Sequence, residues 1–232
     1  MARYLIIAGS SGIAQTLHDL LVSHGHEVIR TARDNSKINP DYILDATDFS
    51  AVESVFQSVG QIDGVVNCAG SLLLKPAHLT SFDEYQSVIQ ASLTSAFAVV
   101  RAAGLHMRQG GSVVLISSTA AQIGLVNHEA ISSAKAGIIG LARSAAASYA
   151  SMGLRFNVVA PGLTETELTK ALTQNEAMRK ASEQMHPLGR IGQTTDIAQA
   201  IYFFLQPENN WITGQVLAVD GGLSSVKPRM KA

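Results

Sequence analysis

The chain has a single cysteine, Cys68, among 232 residues. No intrachain disulfide can form, and a reducing cytosol (a cytoplasmic protein) is the expected home. Charge is scarce as well: Asp, Glu, Lys and Arg make up 15% of the residues and leave a net charge of −1. No basic run with interleaved aromatics occurs, so neither nucleic acid nor an anionic membrane is an expected partner. No apolar run is expected to approach the roughly 20 residues of a membrane span. The apolar start around Tyr4 is too brief for a leader peptide and runs straight into a glycine turn, so it reads as a first strand. No Pro/Ser-rich linker and no internal repeat divide the chain, which makes 1–232 one expected domain. No set of metal ligands is expected.

What the sequence does have is apolar residues, 47% of the total. They suit a sheet buried on both faces. Short β-rich runs at Tyr4–Ala8, Glu27–Thr31, Tyr42–Leu44, Gly64–Asn67, Ser112–Ser117, Arg155–Val159 and Val216–Val219 alternate with helical patterns near 12–24, 48–58, 82–108, 129–151 and 195–205. Strand–helix alternation with crossovers of this length implies an α/β fold with a doubly wound, mainly parallel seven-stranded sheet and helices on both faces. The stretch 162–193 is long for a connection. It contains a helical pattern over Glu165–Gln184 and reads as a lid or substrate loop. The polar tail from Ser224 onward reads as loose.

The first strand ends in Ala8-Gly9-Ser10-Ser11-Gly12-Ile13-Ala14 and a helix follows. Such a strand–turn–helix unit aims backbone N–H groups and a helix N-terminus at a pyrophosphate. Gly9 is expected to permit the tight turn and Gly12 to let phosphate approach the backbone. A glycine pattern alone is weak evidence, and an ordinary βα turn would look the same. More specific segments follow in order: Asp45 and Ala46 in Leu-Asp-Ala-Thr-Asp, Asn67-Cys68-Ala69-Gly70 after the fourth strand, and Asn157-Val158-Val159-Ala160-Pro161-Gly162 with Thr164 and Thr166 beyond. Then come Pro187-Leu188-Gly189-Arg190, Asp196-Ile197-Ala198 and Thr213-Gly214-Gln215 leading to Val219-Asp220-Gly221-Gly222.

Over essentially its whole length the chain resembles the short-chain dehydrogenase/reductase superfamily, and within it the 3-oxoacyl-ACP reductases. The resemblance implies a Rossmann-type fold and a nicotinamide dinucleotide held by Gly9, Ser10, Ser11, Gly12, Ile13, Arg33, Asp45, Ala46, Asn67, Ala69, Gly70, Lys135, Pro161, Gly162, Thr164 and Thr166. One departure is read in the glycine loop. The family has three residues between its first two glycines, whereas Ser10 and Ser11 alone separate Gly9 from Gly12, and Ala14 takes the place of the third glycine. At the end of the second strand the place of an NAD-selecting acid is Ala32, followed by Arg33. A guanidinium can grip a phosphate bidentately, so NADPH is expected over NADH, although Asp34 beside it could partly neutralise the site.

The resemblance also implies a catalytic set. Ser118 matches the family's serine and Lys135 its lysine. The tyrosine four residues before the lysine corresponds to Ile131, and an asparagine of the preceding long helix to Ser92. Isoleucine has no proton to give, and losing a positioned general acid costs roughly 10²–10⁴ in rate. Lying four residues before Lys135 on one helix, Ile131 is expected to face the same cleft. The enoyl-reductase branch of the superfamily has a tyrosine seven residues before its lysine, the place His128 holds here, so the resemblance makes His128 a substitute proton donor two helical turns from Lys135, with an exposed loop residue as the plainer reading. His186 is a weaker candidate.

Two readings stay open. One is an NADPH-dependent oxidoreductase whose proton comes from His128, from a water held by Ser118 and Lys135, or from the substrate. The other is a cofactor-binding protein acting as a partner subunit or regulator. A non-redox enzyme using the nucleotide structurally ranks below both. Leu72–Leu74, Ala120–Val126, Leu163, Leu168, Leu172 and Met185 are the expected pocket walls, suited to a small apolar or acyl substrate. The resemblance implies a homodimer or homotetramer, through the small-residue helix Ala134–Ala150 and the long helix before it.

Overall fold

The computed structural model describes residues 1–227. Seven strands form one sheet in the order β3-β2-β1-β4-β5-β6-β7, with every pairing parallel. They are β1 (Arg3–Ile7), β2 (Glu27–Ala32), β3 (Tyr42–Ile43), β4 (Gly64–Asn67), β5 (Gly111–Ile116), β6 (Leu154–Pro161) and β7 (Val216–Val219). The helices are α1 (Gly12–Ser23), α2 (Phe49–Val59), α3 (Phe82–Ile89), α4 (Ser95–His106), α5 (Glu129–Tyr149), α6 (Lys170–Thr173), α7 (Glu176–Met185) and α8 (Thr194–Leu205). The expected α/β class and doubly wound sheet are therefore present.

Both faces of the sheet are apolar because parallel strands joined by crossover helices leave neither face to water. On one face Leu5, Ile7, Val65, Val113, Leu115 and Phe156 meet α2, α4 and α5. On the other Tyr4, Ile6, Val66, Val114 and Val159 meet α1 and α8. The strand order reverses between β1 and β4, where Ile7 pairs with Asn67. The loops after these two strands consequently part in opposite directions and leave the crevice in which open α/β sheets bind ligands.

Four expectations need correction. The pattern over 82–108 does not make one regular α-helix: α3 and α4 are joined by a π-helical turn, Gln90–Thr94, with Ser92 in its middle. The continuous segment Phe82–His106 is long and apolar enough to cross a membrane by length and composition, although no such run was expected from the sequence. Its buried side explains the apolarity, since Ala96, Val99 and Ala103 lie in the core under the sheet. The helix expected over Glu165–Gln184 is broken into a 3₁₀ turn (Glu167–Thr169), α6 and α7. Asn175 makes the break: its side chain accepts from Met178 N–H and caps α7, which a side chain of this kind does better than it continues a helix. The tail expected to be loose from Ser224 is tied down at its start, with Ser224 N–H donating to Asp220 Oδ2 at 2.9 Å and Val226 N–H to Gly222 O at 2.9 Å. Residues 228–232 of that expectation lie outside the described residues.

Candidate functional site

The residues singled out in sequence gather at the C-terminal edge of the sheet. The loop after β1 is fastened to the end of β2: Gly9 N–H donates to Thr31 O at 2.7 Å and Ala8 N–H to Thr31 Oγ1 at 3.3 Å. The residue in the left-handed region is Ala8, with φ 58°, and not Gly9. This corrects the expected role of Gly9 in the tight turn. Counted from Ala8, three residues precede Gly12, so the spacing expected of the family is kept and its turn glycine is replaced by alanine. Gly9 is needed for another reason: a Cβ there would stand 2.9 Å from Arg30 Cβ. Ser11 caps α1, its Oγ accepting from Ala14 N–H at 3.3 Å. Gly12 opens α1, and a Cβ there would meet nothing closer than 3.5 Å, which leaves room for a ligand against the backbone. Ile13 packs on the core beneath α1, and Ser10 O accepts from Gln15 Nε2 at 2.9 Å.

On the adenine side of the resemblance, Asp45 Oδ1 accepts from Thr47 N–H (2.9 Å) and Thr47 Oγ1 (2.8 Å). Those bonds hold its carboxyl below the usual carboxylate range, with Arg33 adding to the effect. Ala46 is buried beside it. Arg33 and Asp34 are exposed, and Asp34 is occupied by Ser36, which donates from both N–H and Oγ.

At the end of β4, Asn67 is 2% exposed. Its Oδ1 accepts from Ala69 N–H at 3.1 Å and its Nδ2 donates to Ser95 Oγ at 3.3 Å. Ser95 Oγ in turn donates toward Ala91 O (2.8 Å) and Ser92 O (3.1 Å), so the turn after β4 is locked to the π-helical turn. Lys135 comes to the same place from α5. It is 7% exposed and its Nζ donates to Ile116 O at 2.9 Å. A Cβ on Gly70 would sit 3.1 Å from Lys135 Nζ and 3.7 Å from Ser92 Oγ. Burial lowers the lysine pKa to about 8, with the neighbouring Cys68 pulling weakly the other way. Burial likewise pushes the Cys68 thiol up to about 12, so this cysteine is an inert neighbour at neutral pH.

Among the described residues, the hydroxyls of Ser71 and Ser92 are buried without a partner. Orphaned buried hydroxyls are costly, and these two flank Gly70 beside a buried ammonium. A polyhydroxyl group such as a ribose would satisfy them, so the residues present fit the dinucleotide implied by the resemblance. Sequence reasoning missed Ser71 entirely and read Ser92 only as a substitution. Nothing in residue identity signals that a hydroxyl will be left without a partner.

Ser118 leaves the end of β5 with its Oγ accepting from Ala120 N–H at 3.2 Å, which leaves its own proton free to donate. Ser117 Oγ donates to Lys135 O at 2.8 Å and so fastens α5 to the same strand end. Ile131 does not line an open cleft as expected. It is 3% exposed and packs with Val88, Ala130 and Ala134, flanked by Leu73 and Leu93, because an apolar side chain closes onto apolar neighbours. His128 stands just before α5, partly exposed, with Nδ1 2.7 Å from Val126 O; no hydrogen bond joins it to Ser118 or Lys135. His186 is buried, Nδ1 lying 2.6 Å from Ser182 O, its Nε2 pressed against Gly162. Gly162 N–H donates to Val219 O, Thr164 Oγ1 to Gly162 O, and Thr166 pairs with Thr169. Pro161 ends β6. Of the expected pocket walls, Leu168 and Met185 are about half exposed.

Comparison with known proteins agrees with this architecture. A family model described as enoyl-(acyl carrier protein) reductase matches residues 7–224. The 3-oxoacyl-[acyl-carrier-protein] reductase of Vibrio cholerae is 33% identical, the alignment covering 94% of this chain and 96% of that protein. The enzyme of the same name from Thermotoga maritima is 34% identical, again with 94% and 96% coverage. Among solved structures, the aldohexose dehydrogenase of Thermoplasma acidophilum superposes with a TM-score of 0.91 at 29% identity, over 100% of this chain and 97% of that one. ElxO with NADP bound gives 0.89 at 29% identity, over 97% and 100%. With its parallel sheet, its switch-point crevice and a match over nearly all of its length, the chain belongs to the short-chain dehydrogenase/reductase superfamily of oxidoreductases.

Proposed function

We propose that the protein binds NADPH in the crevice between the Ala8–Gly12 loop and Gly70, and reduces a carbonyl or enoyl group of a small apolar or acyl substrate. The observation that carries this reading is Lys135: among the described residues, a buried ammonium that no carboxylate partners and that donates to Ile116 O, next to two unsatisfied hydroxyls. NADP-bound ElxO and a dehydrogenase in complex with NADPH among the solved relatives support the cofactor, and the 3-oxoacyl reductases support the substrate class. A bound NADPH would supply the hydride. The chain's own residues supply the rest. Ser118 Oγ donates to the substrate oxygen, and Lys135 Nζ is the charge and proton reserve for that oxygen, relayed through water. Ile131 takes the family tyrosine's place in this reading and makes the active site atypical. His128 stays a second candidate donor through Nε2. The single cysteine supports a cytoplasmic location, and the family supports a homodimer or homotetramer.

The burial of Ile131 against Val88 and Ala134 favours the alternative: a cofactor-binding protein in which apolar packing has replaced the proton donor and which serves as a regulator or partner subunit. Calorimetric titration with NADPH, followed by turnover of acetoacetyl and crotonyl thioesters monitored through NADPH oxidation, separates the two. Stoichiometric binding with turnover supports the enzyme, and binding without turnover supports the alternative. No binding at millimolar NADPH sinks both.

A further inference from the structure

The side chain of Arg30 lies close against Gly9. Arg30 lies on β2 and shares the α1 side of the sheet with Val28, two residues earlier, which packs on the α1/α8 cluster. A Cβ on Gly9 would stand 2.9 Å from Arg30 Cβ and 3.2 Å from Arg30 Cγ, both side-chain carbons. The missing Gly9 side chain is thus what lets the arginine stem lie along the loop that follows β1. Among the described residues, no hydrogen bond or ion pair engages the Arg30 guanidinium. Its neighbour Asp41 is committed to the backbone, with Oδ2 accepting from Arg30 N–H at 2.7 Å. A half-buried arginine whose stem is packed and whose head is unengaged is a donor fork with little rotamer freedom left to lose.

Arg33, the residue singled out from sequence for the 2′-phosphate, is placed differently. It is exposed, and its charge bears on both Asp34 and Asp45, lowering each carboxyl alongside the hydrogen bonds from Ser36 and Thr47. Lys37 also bears on Asp34. Arg33 thus shares its surroundings with two carboxylates, whereas Arg30 has Asp41 bound at its backbone N–H and, among the described residues, a guanidinium that no carboxylate engages. Both arginines flank the Gly9–Thr31 tie, which joins the phosphate loop to β2.

We infer that Arg30, laid across Gly9, is the principal cation for the adenosine 2′-phosphate of the cofactor, with Arg33 an outer auxiliary. This deepens the proposed NADPH reading and rests on it. The chemistry recognised is a dianionic phosphate monoester on a ribose, gripped by two N–H groups of one guanidinium. It also accounts for a glycine at position 9 that no left-handed φ requires.

The test is calorimetric titration of the wild type, Arg30→Met, Arg33→Met and Gly9→Ala with NADPH, NADH, adenosine 2′,5′-bisphosphate and 5′-AMP. Arg30→Met keeps the packed stem and removes only the charged head. We expect it to weaken NADPH and the bisphosphate by about ten- to hundredfold, the scale of charged hydrogen bonds, while NADH and 5′-AMP change by less than about twofold. Arg33→Met should have the smaller effect. Gly9→Ala should reproduce part of the loss by displacing the stem, and circular dichroism of each variant checks that it folds. Equal losses for NADPH and NADH, no loss for either, or a larger effect at Arg33 would each overturn the assignment of Arg30 and leave the NADPH reading standing. A wild type that binds neither dinucleotide would overturn the reading itself.

Discussion

Ala8 holds a left-handed backbone at φ 58°, which costs an L-residue about 1–2 kcal/mol, while glycine there has only its unfolded-state entropy to lose. Ala8→Gly should therefore stabilise the protein by about 1 kcal/mol, or roughly 2–4 °C in Tm for a chain of this size. A fall in Tm on calorimetry would show that the alanine methyl makes a contact worth more than the strain. Lys135 carries a pH signature. Its folded pKa of about 8 lies below the ordinary lysine value of 10.5 because burial penalises the ammonium. Between those values the unfolded chain binds the proton that the folded one has shed, so the stability of the cofactor-free protein should rise as pH goes from about 8 toward 10.5. Chemical denaturation at successive pH values should show this rise in the wild type and not in Lys135→Met. NADPH affinity should move the opposite way and weaken above pH 8, as the charge that meets the cofactor is lost. At Ile131, which is 3% exposed, a tyrosine ring must push aside Val88 and Leu73. Ile131→Tyr should cost about 1–3 kcal/mol of stability and yet raise NADPH-dependent reduction of simple ketones, incompletely because Ser92 is not an asparagine. A folded, NADPH-binding variant with no gain in ketone turnover would shift the balance to the non-redox reading.

The helices show where local signals suffice. The patterns near 12, 48 and 82 met the observed starts of α1, α2 and α3 within a residue, and each start carries a cap: Ser11, Asp48 and a reciprocal Ser81–Glu84 box. What the periodicity did not carry was the π-helical turn at Gln90–Thr94, because residues 91–100 are small or apolar on every side and hide the rotation that one extra residue brings. Its position depends on partners elsewhere, chiefly Asn67 reaching Ser95 from β4. The pairing of α4 with α5 is close at Gly104, where a Cβ would stand 2.7 Å from the Tyr149 ring. Gly104→Ala gains helix propensity of about 1 kcal/mol but drives a methyl into a rigid ring. It should destabilise by about 1–3 kcal/mol net of that gain, and the added Tyr149→Leu should recover much of the loss. Urea denaturation of the single and double variants would measure the coupling. Additive effects would mean that the two helices do not meet as described.

Across the whole molecule, the candidate site exists because four strand ends and one helix converge. Ile7, Asn67, Ile116 and Pro161 end neighbouring strands, and Lys135 is held to the β5 end at both Nζ and its carbonyl. A ligand that bridges these parts binds only the folded state, so saturating NADPH at about 100 times its dissociation constant should stabilise the protein by about 2.7 kcal/mol, seen as a rise in Tm by scanning calorimetry. The sequence by itself determined the class of the fold, the count of strands and their places along the chain, and the identity of several residues at the strand ends. Those follow from apolar periodicity and from short motifs whose residues are neighbours in the chain. Only the tertiary structure decided that Ala8 bears the strained turn, that Arg30 rather than Arg33 lies on Gly9, that Ser71 and Ser92 lack partners, and that Ile131 is sealed into apolar packing. Each of these is a relation between residues far apart in sequence, set by how close β2, the π-helical turn and α5 come to the β1 and β4 ends. Residue identity carries the capacity for a contact, and the distance at which the chain brings two residues together decides whether it is made.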